Sequence, residues 1–200
     1  MANKKHIIYH DIEQGSEEWN KGRHGNFTGS NAYKLLSTFG AGSHAMSVES
    51  FFGGNFHTER GHILEDEAIE LYNEIYGVSV QFTGFVTNNK YPNCLYSPDG
   101  YLDDKIIEVK CFSPKKHLEL IKNPKLEVLA QCHFGQLILE KNLTHLVAYC
   151  PKPKNWNDEQ DGEWLVPLDK MFVVIPIKRD KDIQNNFKRI IKEYHDKQKK

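Results

Sequence analysis

The stretch Ser97-Pro98-Asp99-Gly100-Tyr101-Leu102-Asp103-Asp104-Lys105-Ile106-Ile107-Glu108-Val109-Lys110 decides how this chain reads. An acidic residue follows a Ser-Pro turn, and nine positions later a second one stands two before a lysine in an apolar run. Ile106 to Cys111 predicts a short, largely buried strand, because β-branched residues dominate it and Asp103 and Asp104 precede it as turn formers. On a strand, residues two apart share a face, so Glu108 and Lys110 point one way while Ile107 and Val109 point the other. Charges seldom occupy such a strand unless they are paired or bind a metal. An Asp, a Glu and a Lys converging there can hold a divalent cation and position a water, as phosphodiester hydrolysis requires. Taken alone, the Glu108-Lys110 spacing favours a hairpin with an ordinary edge-strand ion pair, because Glu-x-Lys is a very common tripeptide. The Ser-Pro-Asp-Gly lead-in tips the reading toward the metal site.

Outward from that stretch, 200 residues with 39% hydrophobic and 12% aromatic content fit one domain with a sizeable core. There is no 18-residue apolar run and hence no expected helical membrane span. Ile7, Ile8 and Tyr9 are too short a run for a signal-peptide core, which points to the cytoplasm. The cysteines at 94, 111, 132 and 150 form no C-x-x-C pair, so neither a zinc knuckle nor an iron–sulfur cluster is expected. Cys111, Cys132 and Cys150 read as small core residues. Net charge is −1, but it is segregated. Lys178 to Lys200 holds nine Lys/Arg against four acids, and Glu59 to Glu74 holds six acids against Arg60. A basic tail can follow a phosphate backbone, an acidic pocket can collect metal ions, and each is also compatible with a solvated helix face.

Ser16 is placed to cap a short helix through Trp19 and Arg23, and a second helix is expected from about Ser30 to Leu36. Residues 38 to 56, with Gly40, Gly42, Gly53 and Gly54, read as a loop with a helical turn at Val48 to Phe52. A long helix over about Thr58 to Tyr76 should end at Gly77, with Leu64, Ala68, Leu71, Tyr72 and Ile75 as its buried stripe. Glu65 borders that stripe, and Gly61 one turn earlier leaves room near the backbone. Alternating segments follow at Val78 to Thr87 and Cys94 to Tyr96. A helix over about Lys125 to Lys141 then leads to strands at Thr144 to Cys150 and Met171 to Ile177. Between those strands, Pro151 to Lys170 reads as an insertion or long hairpin. Ile183, Phe187, Ile190, Ile191 and Tyr194 mark one face of a closing helix, about Ile183 to Lys197. This order predicts a layered α/β fold.

Glu65 on a helix, Asp99 after a turn, Glu108-x-Lys110 on a strand and Gln131 on the next helix stand in an order that resembles the PD-(D/E)XK nucleases. More closely it resembles the phage lambda-type exonuclease or YqaJ-like recombinase family. The elements that carry the likeness are Trp19-x-x-x-Arg23-x-Gly25-x-x-Thr28-x-Ser30, Arg60-Gly61-x-x-x-Glu65-x-x-Ala68, Ser97-Pro98-Asp99-Gly100, Ile107-Glu108-x-Lys110 and Ala130-Gln131. With the strand ending at Tyr149-Cys150-Pro151, they span about residues 15 to 151. The chain departs from the family pattern at Gly22, His24 and Gly29, and at His133, where a second glutamine is often found.

The resemblance implies a restriction-endonuclease-like core, a central mixed β-sheet flanked by helices, within a single nuclease domain over 1–200. Residues 171–200 supply its last strand and basic helix. It implies Asp99 and Glu108 as metal-binding carboxylates, with the Val109 carbonyl as a further ligand and Glu65 completing the acidic cluster directly or through water. The cofactor would be Mg2+, with Mn2+ able to substitute. Lys110 would orient the attacking water or steady developing charge, and Gln131 would orient Lys110 or that water. Arg23 and Ser30 match positions that hold a 5′-terminal phosphate, and a guanidinium beside a hydroxyl suits an anion. The implied activity is digestion of linear double-stranded DNA, 5′ to 3′ from phosphorylated ends, yielding single-stranded tails for phage recombination. An endonuclease or nickase, or a silent DNA-binding module on the same fold, stays open. Partners implied in the same way are a homotrimer ring around DNA and a single-strand annealing protein. His62 and His117 are further candidates for a metal or phosphate contact.

Overall fold

The computed structural model describes residues 6–37 and 56–198; the side chains of 56–62, 158 and 159 are outside the description. The glycine-rich loop and the turn expected at Val48 to Phe52 therefore lie outside the described residues, as do the side chains of Arg60 and His62. The elements run β1 (Ile7–His10), α1 (Glu17–Arg23), β2 (Phe27–Thr28), a 3-10 turn (Gly29–Asn31), α2 (Ala32–Ser37) and α3 (Phe56–Tyr76). Then come β3 (Phe85–Asn88), β4 (Cys94–Tyr96), β5 (Gly100–Tyr101), β6 (Ile106–Lys110), α4 (Pro114–Lys122), α5 (Leu126–Ile138) and β7 (Leu143–Tyr149). The chain continues through α6 (Asp158–Asp161), a 3-10 turn (Leu168–Lys170), β8 (Phe172–Lys178) and α7 (Lys181–Gln198).

The layered α/β architecture with mixed sheets holds, and the ladder is divided in two. One sheet has the order β1-β3-β4-β2 and the other β5-β6-β7-β8. In the first, β2 runs parallel to β4 and the other pairs are antiparallel; in the second, β6 and β7 are the parallel pair. The division falls at Ser97-Pro98, between β4 and β5. Proline has no N–H to extend a ladder, and the Pro98 carbonyl accepts a side-chain bond from Gln14 Nε2 at 3.0 Å.

β6 lies between β5 and β7, and its alternation sorts the helices onto opposite faces. Ile107 and Val109 pack with Ala68, Ile69 and Tyr72 of α3. Ile106 packs in the cluster built from α5 and α7, with Phe134, Leu137, Ile138, Phe187 and Ile190. Glu108 and Lys110 follow Ile106 at period two and so share the α5 side. α5 is apolar nearly all round, as a helix buried between a sheet and other helices must be.

Several elements differ from expectation. The run at Ile7 is a strand because it pairs antiparallel with β3, Ile7 opposite Asn88 through His10 opposite Phe85. α4 was not anticipated, although Ser113 at the N-cap and Pro114 at the first helical position announce a helix start. Of Val78 to Thr87 only the last residues form a strand; before them Gln81 makes a single bridge to Tyr101. Among the described side chains of α3 the buried ones are Ala68, Ile69 and Tyr72, while Ile75 is 55% exposed, because the last turn of the helix lies beyond the packed cluster. Pro151 to Lys170 is the long connection of an antiparallel pair, as expected. No helix among the described residues is long and apolar enough to cross a membrane.

Candidate active site

The turn before β5 is held from both sides. Gln14 Nε2 donates to the carbonyls of Thr83 and Pro98, each at 3.0 Å. Asp99 Oδ2 accepts the backbone N–H of Val109 at 2.7 Å, which ties the turn to β6. On β6, Glu108 is fully buried. Its Oε1 meets Lys110 Nζ at 2.5 Å, and its Oε2 accepts the hydroxyl of Tyr96 at the end of β4. Tyr96 is itself fully buried, with Gly29 and Gly135 against its ring: a Cβ on either glycine would stand 2.6 Å from a ring carbon. Glycine is required at both positions by close approach.

Burial, then the Glu108 charge and more weakly that of Glu65, hold the Asp99 carboxyl well above the usual range, against Lys110 and the Val109 N–H. For Lys110, burial pulls the ammonium down, but Glu108 and Asp99 outweigh it and the group is raised. The Tyr96 phenol is raised well above its usual value by burial first and by Glu108 second, so it remains a hydrogen-bond donor. A carboxylate that burial and like charge push toward neutrality is one that a cation stabilises.

Two cavities flank the turn. One, about 720 Å3, is lined by Ser30, Lys34, Glu65, Val109, Lys110 and Gln131, among others. The other, about 690 Å3, has acidic walls from Asp11, Glu13, Glu65, Asp66 and Asp99. Glu65 thus stands at both, and the expected residues 65, 99, 108, 110 and 131 come together around one region. Among the described residues, no three carboxylate, imidazole or thiol side chains form a ready metal cage. Asp99 and Glu108 would offer two carboxylates, to be completed by backbone and solvent oxygens. This fits Mg2+, a hard cation that keeps several waters and takes one or two carboxylates.

Beside this region, Arg23 Nη1 donates to Ser97 Oγ at 3.1 Å and Nη2 to Ser30 Oγ at 3.2 Å. The guanidinium carbon lies 4.1 Å from the centroid of the Trp19 ring, and Ser30 Oγ is 3.0 Å from Thr28 Oγ1. The helix that carries Arg23 is fixed by Ser16, whose Oγ accepts the Trp19 N–H, and by Trp19 Nε1 donating to the Gly84 carbonyl. Ser30 sits in the 3-10 turn before α2.

Sequence reasoning missed two residues here. Ser97 lay inside the quoted motif and was read only as a turn former. Tyr96 carried no signal beyond its place in an apolar strand. Two expectations change, for His117 and Cys111, and the departure at His133 finds its partner. His117 is a fully buried histidine donating Nε2–H to the Lys170 carbonyl at 2.7 Å, a bond between α4 and the β7–β8 connection. His133 is buried with Gln136, Nδ1 to Oε1 3.1 Å, and Gln136 in turn reaches Thr144 and the Ile177 carbonyl. Cys111 is half-buried and lines the larger cavity, while Cys132 and Cys150 are core residues.

Comparison with known proteins places this geometry. The comparison with curated proteins finds no match. Among solved structures, the chain is similar to the alkaline exonuclease LHK-Exo from Laribacter hongkongensis at TM-score 0.67 and 22% identity, covering 91% of this chain and 94% of that one. The same exonuclease in complex with dAMP matches at TM-score 0.69, with the same identity and coverage. A phage-related exonuclease from Haemophilus somnus 129PT matches at TM-score 0.58 and 18% identity, over 89% of this chain and 96% of that one. These likenesses carry the fold. The model of the YqaJ-like viral recombinase domain matches residues 18–138, which reach from α1 through α5 and take in the site residues from Arg23 to Gln131, so the chain belongs to the YqaJ-like viral recombinase domain family.

Proposed function

We propose that this protein is a divalent-metal-dependent DNA exonuclease that hydrolyses linear double-stranded DNA from 5′-phosphorylated ends, 5′ to 3′. The observation that carries the reading is the convergence of buried Glu108 with half-buried Asp99 and Lys110, tied together through β6, with Lys110 opening onto a large cavity. Lys110 pairs with Glu108, which leaves Asp99 as the second carboxylate that a cation would answer. The likeness to exonucleases, one of them solved with dAMP, supports a nucleic-acid substrate.

Asp99, Glu108 and the Val109 carbonyl would hold Mg2+ or Mn2+, with Glu65 adding negative charge nearby. Bound there, the cation would supply Lewis acidity and an activated water. The chain's own groups do the rest. Lys110, kept charged by its two carboxylate neighbours, steadies the negative charge that develops on the phosphoryl oxygens. Gln131 orients the water or Lys110 from α5. Arg23, with Ser30 and Ser97, binds a terminal phosphate, its planar fork matching two oxygens at once. The single-stranded tails so formed suit phage recombination in a host cytoplasm, with a homotrimer ring and a single-strand annealing protein as partners.

The test is direct. With Mg2+, the protein should degrade linear duplex carrying 5′ phosphates, leave closed circles intact, and lose hydrolysis on Lys110→Ala. Nicking of circles at a comparable rate would make it an endonuclease. Binding of DNA without cleavage in either Mg2+ or Mn2+ would make it a silent module.

A further inference from the structure

We propose that Tyr96 is a positioning residue for the metal site, its hydroxyl setting the orientation in which Glu108 meets the cation. This rests on the metal reading above and adds a residue to it. Each carboxylate oxygen has two lone pairs. Lys110 Nζ occupies one on Oε1 and the Tyr96 hydroxyl one on Oε2, so the rotation of the fully buried carboxylate is fixed at both ends. The lone pairs left over are then the ones available to a cation.

The two restraints differ in kind. Lys110 is on the same strand as Glu108, at the end of a flexible stem, and belongs to the reacting region. Tyr96 comes from another strand and cannot swing, because backbone at Gly29 and Gly135 leaves no room for even a methyl group beside its ring. A donor immobilised in this way holds its acceptor without any entropy left to lose on metal binding. Gly29 also immediately precedes Ser30, so the same ring abuts the turn that carries the phosphate-binding hydroxyl. If Tyr96 were only core filling, its ring would matter and its hydroxyl would not.

Tyr96→Phe keeps the ring and removes the hydroxyl. Metal-free wild type and variant are titrated with Mn2+, and free Mn2+ is read by electron paramagnetic resonance. The variant should bind Mn2+ about 10- to 100-fold more weakly, the range seen when a hydrogen-bond partner of a metal ligand is lost, while still melting cooperatively. Its activity should recover in part as Mg2+ is raised, a recovery Lys110→Ala should not show. Equal Mn2+ binding by wild type and variant would overturn the positioning role and leave the proposed function standing. No Mn2+ binding by wild type would overturn both. Should the variant fail to fold, wild type labelled at tyrosine 13Cζ carries the test: the Tyr96 resonance should move on saturation with Mg2+, and an unmoved resonance would overturn the role.

Discussion

Asp99 carries its carboxyl to a place where burial and the charges of Glu108 and Glu65 favour the neutral form. With its folded value raised, the group contributes stability below the ordinary Asp value of about 3.9, and that contribution is lost as pH rises through the raised value. The metal-free protein should therefore grow less stable across that window, and a bound cation should restore it. Asp99→Asn keeps an oxygen for the Val109 N–H and removes the charge. In EDTA at pH 8 the variant should melt higher than wild type, by about 2–4 °C for each kcal/mol relieved in a domain of this size. Mg2+ should raise the melting point of wild type alone, and the variant should not hydrolyse DNA. A variant melting at or below wild type in EDTA would mean that the charge is not strained. At this scale much was legible: the Ser-Pro-Asp-Gly turn and the Glu-x-Lys strand mark the residues that hydrogen-bonded β6 draws together at Asp99, Glu108 and Lys110. Tyr96 was not, because its role depends on what a buried strand faces, and that is invisible from one segment.

α5 shows how an element can be built for the site at a cost to itself. Glycine inside a helix ordinarily loses about 1 kcal/mol to alanine, so Gly135 looks like a position to improve. The Tyr96 ring reverses the sign, since a Cβ at 135 would stand 2.6 Å from it and the ring is also held close against Gly29. Gly135→Ala should destabilise by about 1–3 kcal/mol, as overpacking does, measured as a lower urea midpoint. A stabilised variant would show that the ring has room. Elements with their own punctuation were readable: α1 by its Ser16 cap, α3 by Gly77 at its end with φ +61°, and α7 by its apolar face. β1 and the short β2 and β5 were not, because two to four residues gain strand character only from the partner they pair with. The stripe on α3 was read with Ile75 in place of Ile69, since periodicity locates an apolar face but not where along the helix the packed neighbour ends.

At the scale of the molecule, the proposed anion pocket is assembled from α1, the turn before α2 and the turn after β4. Arg23 reaches Ser30 seven residues away and Ser97 seventy-four away. Arg23→Ala should abolish the preference for 5′-phosphorylated over 5′-hydroxyl duplex ends, compared as rates on the two substrates, with slower cleavage of the phosphorylated one. An unchanged ratio would remove Arg23 from end recognition. The sequence by itself determined the layered α/β class, the acidic and basic side chains that meet around Asp99, and their order along the chain. It could do so because turn residues, apolar periodicity and buried charges are local signals. Only the tertiary structure decided that the ladder divides at Pro98, that Ser97 joins Arg23, that His117 is core, and that Tyr96 holds Glu108. Each of these depends on backbone and side chains brought together by burial of the shared core, across separations that no local pattern records.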